Sequence, residues 1–371
     1  MIRLLIVDDS PLMRRLLTAI FADVGDFVIA VARTAAEALD MLPVFAPDVV
    51  TLDIHMPGMN GLACLDQIML RRPCPVVMVS SLTAEGAAET LEAMALGAVD
   101  FVAKPRGAVS LEIDTIAPLL VEKVRNAAKA RISRTARLAE RLRARTGTSG
   151  TRAATRTGTR PPGSTTRNSL SPPPSLDPLP AEGVVLVGCS TGGPPALDEL
   201  LGNLPADFPW PIVVAQHMPA SFTGALARRL DKFCALAISE VSAPTPLAAG
   251  QVYIGRGDAD VVLSRRGTRL VAMAAPSSAD YHWHPSVDRL VDSALTLLGP
   301  EQIIGVLMTG MGADGAKTMN ELHDKGGRTI AESAETAVVW GMPGALVAAG
   351  GADAVVPLEQ IAGTLLALVR R

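Results

Sequence analysis

Gly188-Cys-Ser-Thr-Gly192 sets one serine, Ser190, in a G-x-S-x-G pattern between an apolar run at 184–187 and a segment of helical character. A serine on such a strand-to-helix turn presents its hydroxyl above the end of a sheet, where an acyl carbon can reach it. The glycines let the chain turn sharply and come close to a substrate. A neutral hydroxyl is a weak nucleophile, so it needs a base to take its proton and a carboxylate to orient that base. His217 follows the next strand-like run, 212–215. Asp314 lies in Gly305-Val-Leu-Met-Thr-Gly-Met-Gly-Ala-Asp-Gly315, where a third strand ends in a glycine-rich loop. Neighbouring strand ends bring side chains within hydrogen-bond reach. The set therefore predicts Ser190 as nucleophile, His217 as general base and Asp314 as its orienter. Gly310, Gly312 and Gly315 would free backbone N–H groups for an oxyanion. Alone, Asp314 reads equally well as a helix cap. The order Ser…His…Asp differs from the Ser…Asp…His of α/β-hydrolases, so the motif does not carry that fold with it. Cys189 is set aside as a rival nucleophile because the x position of the elbow points away. His323, beside Asp324 in a helical stretch, reads as a surface residue.

A second constellation lies in the first third of the chain. Asp8 and Asp9 end the first predicted strand, Asp53 the third, Ser80 the fourth and Lys104-Pro105 the fifth. Carboxyl ends of central strands in a parallel sheet share one crevice. Three carboxylates there repel one another unless a hard cation lies between them, and Mg²⁺ suits such a set. With a hydroxyl and an ammonium added, the chemistry is phosphoryl transfer to Asp53.

These residues need elements to hold them. Residues 1–122 alternate strand and helix signals at βα spacing, with apolar runs at 4–7, 28–31, 49–52, 76–79 and 101–103; this predicts a doubly wound, five-stranded parallel domain. The alternation resumes over 183–371, predicting a three-layer α/β/α domain with a mainly parallel sheet. Within it, Val252-Tyr-Ile254, Val261-Val-Leu263 and Leu270-Val-Ala272 read as an antiparallel appendage with a hairpin. Between the domains, 123–182 reads as a helical extension fraying into a Thr/Pro/Arg-rich flexible linker. From Lys123 to Arg167 there are thirteen Lys or Arg against Glu140, a net +12, which leaves −15 on the rest of the −3 chain. Acidic domains around a basic connector are not the layout of a nucleic-acid enzyme.

Hydrophobic content of 49% with 3% aromatic fits Val/Ala/Leu-rich α/β layers. No apolar run reaches spanning length, and Met1-Ile-Arg-Leu-Leu5 reads as a first strand instead of a signal peptide. Cys64, Cys74, Cys189 and Cys234 lack metal-ligand spacing and read as buried thiols in a reducing cytoplasm.

Val7-Asp-Asp-Ser10, Leu52-Asp-Ile-His-Met-Pro-Gly-Met-Asn-Gly61, Val79-Ser-Ser81 and Lys104-Pro105 together resemble a response-regulator receiver domain. The resemblance implies phosphorylation of Asp53 by a histidine kinase. It also implies Mg²⁺ on Asp9, Asp53 and the backbone carbonyl of His55, with Asp8 acting through water. Ser80 and Phe101 take the switch positions, with Ser81 as the fallback for Ser80; the His55 side chain is a bystander. Gly188-Cys-Ser-Thr-Gly-Gly-Pro194, Gln216-His-Met-Pro219, His284-Pro-Ser-Val-Asp288 and Thr309-Gly-Met-Gly-Ala-Asp-Gly315 resemble the chemotaxis protein-glutamate methylesterase (CheB) family. That resemblance implies the roles given above for Ser190, His217 and Asp314. An oxyanion site would fall near Met311, with Thr191 and His284 close by, and no cofactor would serve the esterase. The activity implied is hydrolysis of glutamate methyl esters on chemoreceptors with methanol release, together with deamidation of receptor glutamines. The expected protein is a cytoplasmic monomer without nucleic-acid partners or direct membrane insertion. The competing readings are a non-catalytic signalling adaptor, against which the complete Ser190, His217 and Asp314 set argues, and a DNA-binding regulator, for which only the linker's charge speaks.

Overall fold

A computed structural model of the chain describes residues 1–80, 83–104, 109–130 and 183–369. Ser81, Pro105 and nearly all of the expected basic linker lie outside them. The first domain runs β1 (Ile2–Val7), α1 (Pro11–Asp23), β2 (Phe27–Ala32), α2 (Ala35–Phe45), β3 (Val49–Asp53), α3 (Gly61–Arg71), β4 (Val76–Ser80), α4 (Ala84–Leu96), β5 (Asp100–Ala103) and α5 (Val109–Ala127). Its strands form one sheet in the order β2-β1-β3-β4-β5, parallel throughout. β3 and β4 are buried along their whole length, as central strands of a parallel sheet covered by helices on both faces are. Helix starts are set locally: Ser10, Thr34 and Asn60 each accept a backbone N–H three residues on.

The second domain runs β6 (Val184–Cys189), α6 (Gly193–Gly202), β7 (Ile212–Gln216), α7 (Ala220–Asp231), β8 (Ala237–Val241), β9 (Thr245–Pro246), β10 (Gln251–Gly255), β11 (Ala259–Arg266) and β12 (Arg269–Pro276). It continues with α8 (Val287–Leu295), β13 (Ile303–Leu307), α9 (Ala316–Asp324), β14 (Arg328–Glu332), α10 (Met342–Ala348), β15 (Ala354–Val356) and α11 (Leu358–Val369). Seven strands make a parallel sheet in the order β15-β14-β13-β6-β7-β10-β8. Side chains alternate across it. Val185, Val187 and Cys189 pack with α6, α7 and α11, while Val184 and Leu186 pack with α8, α9 and α10, which makes three layers.

The antiparallel part differs in membership from what the sequence predicts. β11 and β12 form the expected hairpin, with β9 added as a short third strand. Val252-Tyr-Ile254 is instead in β10, parallel to β7 and β8 in the main sheet. A run of three apolar residues carries no sign of its strand's direction, so only the chain's path through space decides this. No helix among the described residues is long and apolar enough to cross a membrane.

Candidate active site

β6 lies at the centre of the large sheet, with β7 on one side and β13 on the other. The three candidate residues follow these three adjacent strands. Past β6 the chain turns at Ser190: Gly193 N–H donates to Ser190 O (2.7 Å), and Ser190 N–H donates to Thr309 O (2.9 Å). Gly192 completes the turn at φ +78°, a backbone region that side chains resist. Gln216 braces it from β7, its Nε2 donating to Ser190 O at 3.0 Å. Gly310 lies against the serine so closely that a Cβ there would sit 2.8 Å from Ser190 Cβ and collide with the Met342 sulfur.

His217 is fixed through one nitrogen. Its Nε2 lies 2.7 Å from Asp314 Oδ2, and since a carboxylate only accepts, Nε2 carries the proton. Nδ1 keeps its lone pair; it is buried and has no hydrogen-bond partner among the described residues. Asp314 also accepts from Ser286 Oγ (3.0 Å), Val287 N (2.7 Å) and Asp288 N (3.0 Å). It thus caps a helix after all: not α9, which follows it, but α8. Burial pushes its carboxyl upward, yet the hydrogen bond from His217 and the two backbone donors outweigh this and hold it below the ordinary range.

The remaining candidates are distributed as follows. Thr191 and Met311 are both buried beside the turn. His284 is anchored elsewhere, its Nδ1 lying 2.9 Å from the buried Asp260 carboxylate. Cys189 lies fully inside the core, where burial pushes its thiol far above the usual range, so it is no nucleophile. His323 pairs with Asp353 away from the turn.

At the carboxyl edge of the small sheet, Asp8, Asp9 and Asp53 each offer an oxygen within 4.8 Å of the others. Lys104 Nζ lies 2.8 Å from Asp53 and 3.1 Å from Asp8. Burial raises the Asp53 carboxyl, and the neighbouring Asp8 charge adds to this against the opposing pull of Lys104. For Lys104, burial lowers the ammonium, but Asp53 and Asp8 more than reverse it and the net direction is upward. The Ser80 hydroxyl donates to Gly86 O in the first turn of α4 and accepts from Thr90 Oγ1. The His55 side chain pairs with Glu89, and its N–H donates to Asp53 Oδ1 at 3.3 Å.

Two family models match the chain: a response regulator receiver domain over residues 4–113 and a CheB methylesterase over residues 185–365. A protein from Rhodopseudomonas palustris named protein-glutamate methylesterase/protein-glutamine glutaminase 2 is 54% identical over 366 residues, covering 99% of this chain and 98% of its own. The chain belongs to the CheB methylesterase family. A Rhodospirillum rubrum protein named protein-glutamate methylesterase/protein-glutamine glutaminase 3 is also 54% identical, over 100% of this chain and 97% of its own. One of the same name from Vibrio cholerae is 41% identical over 93% and 90%.

Sequence reasoning missed how the receiver meets the methylesterase domain. α4 packs on α6 and α7, and the Phe101 ring lies 4.4 Å from that of Phe222, so buried apolar side chains of both domains form one cluster. Next to Phe101, the buried Asp100 carboxylate accepts from Lys123 Nζ (2.7 Å) on one oxygen and from the Thr191 hydroxyl on the other. Asn126 Nδ2 donates to the Met311 sulfur at 3.0 Å. Two residues of the first domain therefore hold two of the three residues expected around the oxyanion, Thr191 and Met311. Asp100 sits one position before Phe101, but no local pattern in the sequence says what it will touch.

Proposed function

We propose that the chain hydrolyses glutamate methyl esters on chemoreceptors, releasing methanol, and deamidates receptor glutamines, under the control of phosphorylation at Asp53. The observation that carries this is His217, held by Asp314 through Nε2 and left with a buried, unpartnered Nδ1 beside the Ser190 turn.

Ser190 Oγ attacks the ester carbonyl carbon while His217 Nδ1 takes its proton. The imidazolium then returns that proton to the departing methoxide, and methanol leaves. Water, deprotonated by the same nitrogen, cleaves the acyl-serine and restores the hydroxyl. With a glutamine substrate the leaving group is ammonia. Backbone N–H groups near Met311 and Thr191 take the oxyanion.

In the receiver, Asp9, Asp53 and the His55 carbonyl would hold Mg²⁺, with Asp8 acting through water. The crowding of three carboxylate oxygens fits a hard cation. A bound Mg²⁺ supplies countercharge to a phosphoryl group. The Asp53 carboxylate attacks phosphorus in a phosphohistidine on the kinase as the P–N bond breaks and the imidazole leaves with the kinase; Lys104 neutralises the incoming oxygens, and Ser80 swings from Gly86 to bond the acyl phosphate. That movement, with Phe101, loosens the junction and frees Thr191 and Met311, which is a shift between docked and released populations. We place the protein in the cytoplasm, where its kinase and the receptors' methylated segments meet it.

Ser190→Ala tests the chemistry. Methanol release from methylated receptor should fall about 10⁴-fold or more with the fold intact. Near-full activity in that variant would rule out the mechanism.

A further inference from the structure

We infer that Trp283 is a positioning residue for catalysis, holding the His217 imidazole in place and stabilising it when it becomes charged. This rests on the reading of His217 as the general base.

One hydrogen bond to Asp314 fixes a point on the imidazole but leaves the ring free to tilt about that bond. Trp283 supplies the missing constraint. Its indole lies parallel to the His217 ring, with 9° between the planes and 5.2 Å between centroids. It also reaches the glycine-rich loop: a Cβ on Gly312 would sit 3.8 Å from Trp283 Nε1. The indole thus spans from the base to the loop that carries Met311. Three contacts keep Trp283 itself in place. His282 packs against it edge-on at 4.8 Å. His284, the next residue, is hooked by Nδ1 to Asp260, and Ser286 N–H donates to the same carboxylate at 2.8 Å. Asp260 is fully buried and also pairs with Arg289, so the support is rigid. His284, which the sequence reading puts near the oxyanion, here anchors the loop that presents Trp283.

The electronics favour the same role. When His217 takes the serine proton it becomes an imidazolium facing an indole ring, within the ~6 Å range over which an aromatic face attracts a cation. The attraction exists only once the charge has formed, so it acts on the transition state and not on substrate binding.

The test uses the full chain with a small phosphodonor and Mg²⁺, assayed on methylated receptor. Trp283→Leu should lower kcat about tenfold and leave KM within about twofold, while Trp283→Phe, which keeps an aromatic face, should retain most of the activity. Fluorophosphonate labelling of Ser190 should slow in parallel with kcat. Equal kcat in the Leu, Phe and unaltered chains would overturn the inference, as would a raised KM with kcat unchanged, which would mark a substrate contact instead. Fluorescence gives an answer that does not need the variants at 283 to fold. In a His282→Gln chain, protonation of His217 should quench indole emission, and adding His217→Gln should abolish that quenching; quenching that is absent, or that survives, overturns the stacking. The failures separate cleanly. If Ser190→Ala abolishes turnover while Trp283→Leu has no effect, only this inference falls. If Ser190→Ala leaves turnover intact, the reading beneath it falls.

Discussion

At the carboxyl edge of the small sheet three carboxylates crowd together and two of them share the Lys104 ammonium, whereas at the carboxyl edge of the large sheet one carboxylate collects four donors. Burial pushes both carboxyls upward; at Asp53 it prevails over Lys104, with the Asp8 charge adding to it, whereas at Asp314 the donors outweigh it and the net direction is downward. The first site is rich in negative charge and poor in donors, so it gains when a cation and a phosphoryl group arrive. The second is already satisfied, and it uses that satisfaction to fix one imidazole. In the proposed function, two parallel sheets thus serve a switch in one domain and a proton relay in the other. The difference lies in how many charges each edge leaves unanswered.

The two edges are joined by β5. Lys104, just past its end, faces the acid pocket; Phe101 and Asp100 face the methylesterase domain. A rearrangement around Asp53 therefore has a short route to Thr191, the residue after Ser190. That route is a structural adjacency, and its energetic coupling is what the experiments below measure.

The largest expected effect breaks the proton relay. Asp314→Asn keeps the size of the side chain but removes the charge that holds Nε2–H, allowing the wrong imidazole tautomer. Methanol release should fall about 10⁴-fold, as for the orienting acid of a serine triad. Circular dichroism should stay unchanged, with a loss of about 1 kcal/mol in stability from the weakened α8 cap. Activity within a few-fold of the unaltered chain would show that Asp314 acts only as a cap.

A smaller effect tests the join. Asp100→Ala removes the acceptor of the Thr191 hydroxyl, so the unphosphorylated chain should gain roughly five- to tenfold in basal methanol release, within the usual span of a coupling between sites. An unchanged basal rate would mean that the contact between Asp100 and Thr191 does not restrain the active site.

Much of this was legible in the chain because it is local. Strand-end residues such as Asp53, Ser190 and Asp314 sit in short motifs whose turns require glycine or proline, and those motifs fix the order of the elements. The fold class follows from the same alternation. What was not legible depends on distance in space. β8, with exposed positions alternating along Ala237–Val241, lacks a continuous apolar run. β10 looked like part of the appendage because its parallel neighbours lie far away in sequence. Trp283 and Asp100 are single residues whose meaning appears only when another element is laid against them. A tryptophan between two histidines was the one available signal for the first; for the second there was none.

Control of the Ser190 site by Asp53 is the step on which the proposed function turns. It is tested most directly by methanol release from methylated receptor, measured on the full chain and on its Asp53→Asn variant, each with and without a small phosphodonor and Mg²⁺. The account predicts that the donor raises the rate about tenfold or more in the unaltered chain and leaves the variant at its basal rate. Equal responses in the two chains, or no response in either, would contradict it.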